Sequence, residues 1–228
     1  MTTTNELALG NGIYTVSEIG DILRIPYQKV HRWLNKYWDG ELGAKFQRSY
    51  SWTVDNSKAV GFHTLIEFYV MMQLSEAGVK TREILKAHKE LSQLSNSSSP
   101  FAQKNVLKNM GTDGKRVFFR IGKQTVALDG TKQFNFDFVK LFFKNLDFGS
   151  DLMAERFWPL GRKKSILVDP ERKFGHPVIE GTNIYPETIY NLHLAGENQK
   201  YIAFLYEITP KQVKDAIEYC TAECRPAA

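Results

Sequence analysis

The chain has 228 residues, 43% hydrophobic and 24% charged, the balance of an ordinary folded protein rather than a disordered or fibrous one. No run approaches the roughly 18 consecutive apolar residues of a membrane span, and the opening Met1-Thr2-Thr3-Thr4-Asn5-Glu6 lacks the basic-then-apolar order of a secretory signal. Two cysteines, Cys220 and Cys224, exclude a disulfide framework and suit a reducing cytoplasm, while a net charge of +5 points towards a polyanionic partner.

That charge is unevenly spread. Residues 101–165 carry 13 Lys/Arg against 6 Asp/Glu, whereas residues 166–228 carry 6 against 9. A basic middle and an acidic C-terminal part favour two surfaces with different partners.

Residues 1–13 read as a tail. Thr15-Val16-Ser17-Glu18 has the form of a capping box, in which Thr15 and Glu18 satisfy each other's backbone donors at a helix start. Val16, Ile19 and Leu23 then share one helical face. Arg24-Ile25-Pro26 interrupts the pattern, and Val30, Trp33, Leu34 and Tyr37 give a second helix its apolar stripe. Two short amphipathic helices joined by about three residues fit a helix-turn-helix. On the second helix the outward positions are Gln28, Lys29, His31, Arg32, Asn35 and Lys36, none of them acidic. Lys and Arg neutralise phosphates, and Gln, Asn and Arg reach base edges in the major groove. A solvated basic face on an ordinary amphipathic helix is the competing reading.

Trp38 to Asp55 reads as an irregular or hairpin segment. Helical periodicity returns at Phe62 and runs to about Leu94, broken at Ala77-Gly78. Ile84, Ala87, Leu91 and Leu94 alternate in spacing between three and four, which suits either a dimer seam or core packing. The polar run from Ser92 to Pro100 reads as a linker. Beyond it Arg116–Ile121 and Thr125–Leu128 are expected strands, with turns at Asp113-Gly114 and Asp129-Gly130. Phe136 to Leu146 is a helix, or a strand followed by a helix.

Short strands are expected near Ile166–Val168 and Pro177–Ile179, bracketed by Gly175 and Gly181. Three helices follow: one opened by Pro186 and stopped at Gly196, one capped by Asn198, and one begun by the capping box Thr209-Pro210-Lys211-Gln212. The expected organisation is a tail (1–13), a DNA-binding domain (14–94), a linker (95–100), a β-containing middle region (101–165) and a C-terminal domain (166–228). The fold class is α+β and predominantly helical, with an N-terminal winged helix-turn-helix, a small middle β-sheet, and a C-terminal strand hairpin with three helices.

Two resemblances sharpen this. Tyr14-Thr15-Val16-Ser17-Glu18-Ile19-Gly20 with Val30-His31-Arg32-Trp33 resembles the opening of MerR-like winged helix-turn-helix regulators. By that resemblance Tyr50-Ser51-Trp52 lies in the wing, and the segments beginning at Phe62 and Gly78 are the paired helices that follow. Arg24 stands where the family usually has glycine. Ile166-Leu167-Val168-Asp169-Pro170-Glu171 with Gly175-His176-Pro177-Val178-Ile179-Glu180-Gly181-Thr182 closely resembles domain of unknown function 433 (DUF433), although Asn183 replaces that family's usual arginine. Members of that family are typically antitoxins or antitoxin-like, encoded beside PIN-domain-like ribonuclease toxins. Together the resemblances imply a VapB-like, cytoplasmic, homodimeric antitoxin that binds such a toxin and represses its own operon by binding operator DNA. The alternative is a MerR-like transcriptional regulator sensing a small ligand, its pocket lined by Phe118, Phe119, Phe134, Phe136 and Phe138.

Nothing favours catalysis. His31, His63, His88, His176 and His193 are scattered, without metal-ligand spacing. The chain has no phosphate-binding loop, nucleophile elbow or dinucleotide glycine pattern, and Asp129 is better explained as a turn residue than as the partner of Asp137. No enzyme activity, metal or cofactor is expected. The trihelical end can also be imagined on DNA through Lys200, Lys211 and Lys214, against its net negative charge.

Overall fold

In the computed structural model, residues 10–54, 56–121, 124–127 and 142–222 are described. The sequence readings at Asp129-Gly130, Phe134, Phe136, Asp137, Phe138 and Cys224 lie outside them. The architecture is α+β: helical modules joined by four small antiparallel sheets among the described residues.

Strand β1 (Tyr14–Thr15) leads into helix α1 (Val16–Leu23), a turn, and helix α2 (Tyr27–Arg32). Helical structure does not end near Tyr37 as the periodicity suggests. It continues as a π-helical segment (Trp33–Leu42) and then as α3 (Gly43–Phe46). A π turn is wider than an α turn, so the inward stripe slips by one position. Trp38 is fully buried in consequence, and Tyr37 only half-buried. Strands β2 (Ser51–Val54) and β3 (Ser57–Val60) form the wing, with β3 pairing both β2 and β1. The expected hairpin is therefore present, beginning later than Trp38.

Helix α4 (Phe62–Glu76) is apolar on nearly every face and accordingly sits at the centre of the core. Gly78, at φ +94°, ends it, and α5 (Thr81–Ser95) packs beside it. Ile84, Ala87 and Leu91 are buried within this chain's own core and Leu94 is exposed, so the three–four spacing serves internal packing. The α4–α5 pair holds one buried carboxyl group. Glu67 accepts hydrogen bonds from Trp38 Nε1 (3.0 Å) and from the backbone N–H of Phe101 (3.0 Å), and its Oε2 meets His88 Nε2. Glu67 and His88 are both completely buried. The π segment, α4, α5 and the chain at Phe101 thus converge on one carboxylate.

From residue 100 the chain adds to this same core rather than to a separate one. Phe101, Val106 and Leu107 around helix α6 (Lys104–Asn109), then Val117, Phe142, Leu146 and Phe157, are buried in one continuous cluster with the helix-turn-helix. Strand β5 (Val117–Ile121) lies between β4 (Met110–Thr112) and β6 (Gln124–Ala127). The turn expected at Asp113-Gly114 is built by Asp113 Oδ1, which accepts from the N–H groups of Lys115 and Arg116 at 2.8 Å each. A helical turn at 142–145 precedes the bulged pair β7 (Leu146–Phe148) and β8 (Ala154–Phe157).

The C-terminal module has its own core. Strands β9 (Ile166–Leu167) and β10 (Val178–Ile179) pair, and α7 (Pro186–Leu194), α8 (Gln199–Leu205) and α9 (Pro210–Thr221) enclose Ile189, Ile202, Val213 and Ala216. The caps read from sequence are all present: Pro186 in the first turn, Asn198 Oδ1 accepting from the Lys200 N–H (2.8 Å), and the reciprocal Thr209–Gln212 box. Asp215 on α9 is buried beneath Ser165, whose N–H and hydroxyl it accepts at 2.9 and 3.0 Å.

This module is seated on the first helix of the N-terminal unit. Ile13 N–H donates to the Phe174 carbonyl (2.9 Å), and Gly175 lies so close to Tyr14 that a Cβ there would collide with the phenol ring and hydroxyl. Gly175 also has φ +91°; Gly181 shares the left-handed backbone (+77°) but has open space around it. Both glycines that bracket the strand are needed for conformation, and only Gly175 for proximity. Burial of Tyr14 raises its hydroxyl pKa well above the ordinary range.

Two expectations follow. Glu67→Leu should cost about 3–5 kcal/mol in urea unfolding, because it strands His88, the Trp38 indole and the Phe101 amide without their acceptor. Gly175→Ala should cost about 2–4 kcal/mol, combining left-handed strain with overpacking, whereas Gly181→Asn should cost under about 1 kcal/mol, since asparagine tolerates that backbone. Equal destabilisation at the two glycines would refute the close-approach argument.

Candidate nucleic-acid interface

The helix-turn-helix is set by α1. Thr15 Oγ1 accepts from the Glu18 N–H (3.3 Å), and Glu18 Oε2 accepts from the Thr15 N–H (2.7 Å). Gly20 permits the close crossing of α1 and α2, since a Cβ would stand 3.0 Å from the Ile25 carbonyl. The turn residue, Arg24, adopts the left-handed conformation (φ 58°). Where a glycine would be free of strain, an arginine costs about 1 kcal/mol. Its side chain is held by the C-terminal module: the guanidinium donates to the Tyr219 carbonyl and lies 4.5 Å from the Tyr219 ring centroid. The wing is fixed just as locally. Asp39, from the π segment, accepts from the N–H groups of Tyr50 (3.1 Å) and Ser51 (3.2 Å), the Ser51 hydroxyl (2.6 Å) and Lys58 Nζ (2.8 Å).

This scaffold turns one face of α2 outward. Gln28, His31, Arg32 and Lys36 are exposed, and Lys29 and Asn35 are half-buried at its edge. All six lie on one helical run of the α2 and π segments, while Val30, Trp33 and Leu34 face the core. Several are pre-positioned. Tyr27 stacks on His31 (5.8 Å between centroids), Lys29 Nζ lies 5.4 Å from the Trp33 ring, and Asn35 Nδ2 donates to the His31 carbonyl (2.9 Å). Partial burial of the Lys29 stem lowers its ammonium pKa from the ordinary value. Asn35 keeps its amide oxygen and one N–H for a further partner. The face can therefore offer cations to phosphates and amides to base edges.

Sequence reasoning did not single out Lys45, at the end of α3, or the wing tip at Asn56, Ser57 and Lys58, which are also exposed. Only the fold brings a wing beside a helix; the signal available was the position of Lys58 next to a turn. Of the lysines on the trihelical end, Lys200 and Lys214 are exposed, but Lys211 Nζ is occupied by Asp215 Oδ2 at 2.7 Å. Burial pushes the Asp215 carboxyl up, and the hydrogen bonds from Lys211 and Ser165 more than offset this, holding it below the usual range. Cys220, in contact with the same module core, has its thiol pushed up to about 12 by burial. No helix of the described residues is long and apolar enough to cross a membrane.

Comparison with known proteins gives three findings. The model of the family described as "Protein of unknown function (DUF433)" matches residues 166–220, which are β9, β10 and nearly all of α7–α9. Over an alignment 237 positions long with its gaps, covering 95% of this chain and 97% of the relative, the sequence is 22% identical to "Putative antitoxin VapB45" of Mycobacterium tuberculosis. The crystal structure of Rv2018 from Mycobacterium tuberculosis shares the fold, with a TM-score of 0.65 at 18% identity over 90% of this chain and 96% of that one. The chain is thus similar from end to end to a protein named as an antitoxin, and its C-terminal module is the part that matches DUF433.

Proposed function

We propose that this protein is the antitoxin of a type II toxin–antitoxin system, cytoplasmic and homodimeric, with a MerR-like N-terminal unit. It neutralises a PIN-domain-like ribonuclease toxin by direct binding and represses its own operon through operator DNA. The observation that carries the reading is the end-to-end similarity to a protein named as an antitoxin. The outward basic and amide face of α2 supports the DNA arm, through Gln28, Lys29, His31, Arg32, Asn35 and Lys36. A dimer would set two such helices about one helical turn of DNA (~34 Å) apart on a two-fold symmetric operator. The antitoxin role is non-catalytic: it asks only for two binding surfaces.

One feature favours a second reading, a MerR-like regulator that senses a small ligand. A cavity of about 760 Å³ lies between the wing, α4 and the C-terminal module, lined among others by Trp52, Phe62, His63, Asp151 and Glu155. The Trp52 indole N–H beside it is buried without a protein acceptor among the described residues. Burial holds the His63 imidazole below its ordinary pKa, hence neutral near pH 7. The aromatic lining anticipated from Phe118 and Phe119 is not part of this cavity, and Phe118 is fully buried.

Co-expression with the toxin reading frame of the same operon should restore growth, and the two proteins should co-purify. The triple variant Lys29→Ala, Arg32→Ala, Lys36→Ala should bind its promoter fragment much more weakly while still rescuing growth. In fluorescence anisotropy its log–log salt dependence should flatten by about 0.9 for each phosphate that the variant no longer neutralises. An unchanged salt slope would remove α2 as the DNA-reading element.

A further inference from the structure

The C-terminal module leaves an apolar surface uncovered. Leu194, Tyr201, Phe204 and Leu205 are 65, 50, 80 and 52% exposed, all within twelve residues at the end of α7 and along α8. Tyr201, Phe204 and Leu205 stand at i, i+3 and i+4, so they share one face of α8. The opposite face, Ile202 and Ala203, is buried in the module core. Helix α8 is therefore apolar on two sides, one of which this chain does not use. Solitary exposed leucines are ordinary, but two exposed aromatic rings and a leucine on one helix face are characteristic of a binding site.

The rim of this surface is acidic. Glu197 and Glu207 are exposed at the two ends of α8, with Lys200 as the one Lys or Arg between 187 and 207. Glu207 is also strained. It occupies the left-handed position (φ 53°) just beyond α8, where its N–H donates to the Phe204 carbonyl (3.3 Å) and the Ile208 N–H reaches the Ala203 carbonyl (3.0 Å). Glycine or asparagine is the favoured residue at such a helix end. A carboxylate held there, against backbone preference and at the edge of an exposed aromatic face, marks a charge with a use. A second copy of this chain is a poor occupant, because a two-fold contact would set this acidic rim against itself.

We infer that the α7–α8 face, with Phe204 as its anchor and Glu207 as its polar contact, is where the toxin docks. The toxin would present an apolar depression edged by lysine or arginine. The inference rests on the antitoxin reading and assigns it a surface. It lies on a different element from the basic face of α2, and the module's contacts to the N-terminal unit run through Phe174, Gly175, His176 and Tyr219 instead. Toxin and operator can thus be held by one chain.

The test uses the full-length protein and the purified toxin of its operon, with affinity read by isothermal titration calorimetry. Phe204→Asp should weaken toxin binding about 30-fold or more, as expected of an anchoring aromatic, while leaving Tm and operator binding unchanged. Glu207→Gly should raise Tm, since it relieves the left-handed strain, and yet weaken toxin binding about tenfold. Stability and affinity moving in opposite directions would not arise from a purely structural role. If wild type binds toxin and Phe204→Asp binds equally well, the surface is wrong while the antitoxin reading stands. If wild type does not bind the toxin at all, both fall. If Phe204→Asp instead converts a dimer to a monomer in light scattering with toxin affinity intact, the face joins two copies of this chain and the inference is overturned.

Discussion

Four parts of the chain end on the carboxylate of Glu67: the Trp38 indole from the π segment, His88 from α5, the Phe101 amide from the segment beyond α5, and α4 itself. Burying a carboxylate fully is costly unless its lone pairs are all engaged. The arrangement is consequently all-or-none. Trp38 reaches Glu67 because the helix passes through a π register there, and that register also brings Asp39 round to hold the wing. The geometry of the exposed basic helix face and of its wing therefore depends on a contact deep in the core.

A second constraint joins the two ends of the molecule. Arg24 occupies a backbone conformation better suited to glycine, at the very turn that sets α2 against α1, and its guanidinium is engaged by the Tyr219 carbonyl and ring. At the other end of α1 Tyr14 meets Gly175, and His176 lies 3.4 Å from Glu18 in the capping box. The unit with the basic face and the module that matches DUF433 are consequently not beads on a string. Each end of α1 is touched by the C-terminal part. Strain at the turn, modest for one residue, is offset by a contact that exists only when both modules are folded.

Much of the candidate site was legible in the residues because its determinants are local. A capping box needs only Thr15 and Glu18 at the right separation, and an amphipathic stripe only Val30, Trp33 and Leu34 at helical spacing. The outward set from Gln28 to Lys36 follows as the complement of that stripe. What periodicity missed was the change of helical register after Arg32, which exchanges Tyr37 for Trp38 as the buried ring. A 3.6-residue repeat carries no information about where a helix widens, and the partner that the widened turn brings to Trp38, Glu67, lies 29 residues further on. The exposure of Phe204 was equally illegible. Ile202, Phe204 and Leu205 look alike in a hydrophobic pattern, and only packing distinguishes the one turned inward from the two left outside.

By itself the sequence determined the kinds of elements, their caps and turns, and the family resemblance of the last third. These depend on residues a few positions apart and on backbone preferences that each residue carries with it. Tertiary structure alone decided that Phe101, Val106, Leu107, Val117, Phe142, Leu146 and Phe157 share a core with the helix-turn-helix, that an arginine serves in a glycine-like turn, and that the C-terminal module rests on α1. Those outcomes arise from contacts between residues tens to nearly two hundred positions apart, such as Arg24 with Tyr219, and are set by volume and hydrogen-bond satisfaction rather than by local pattern.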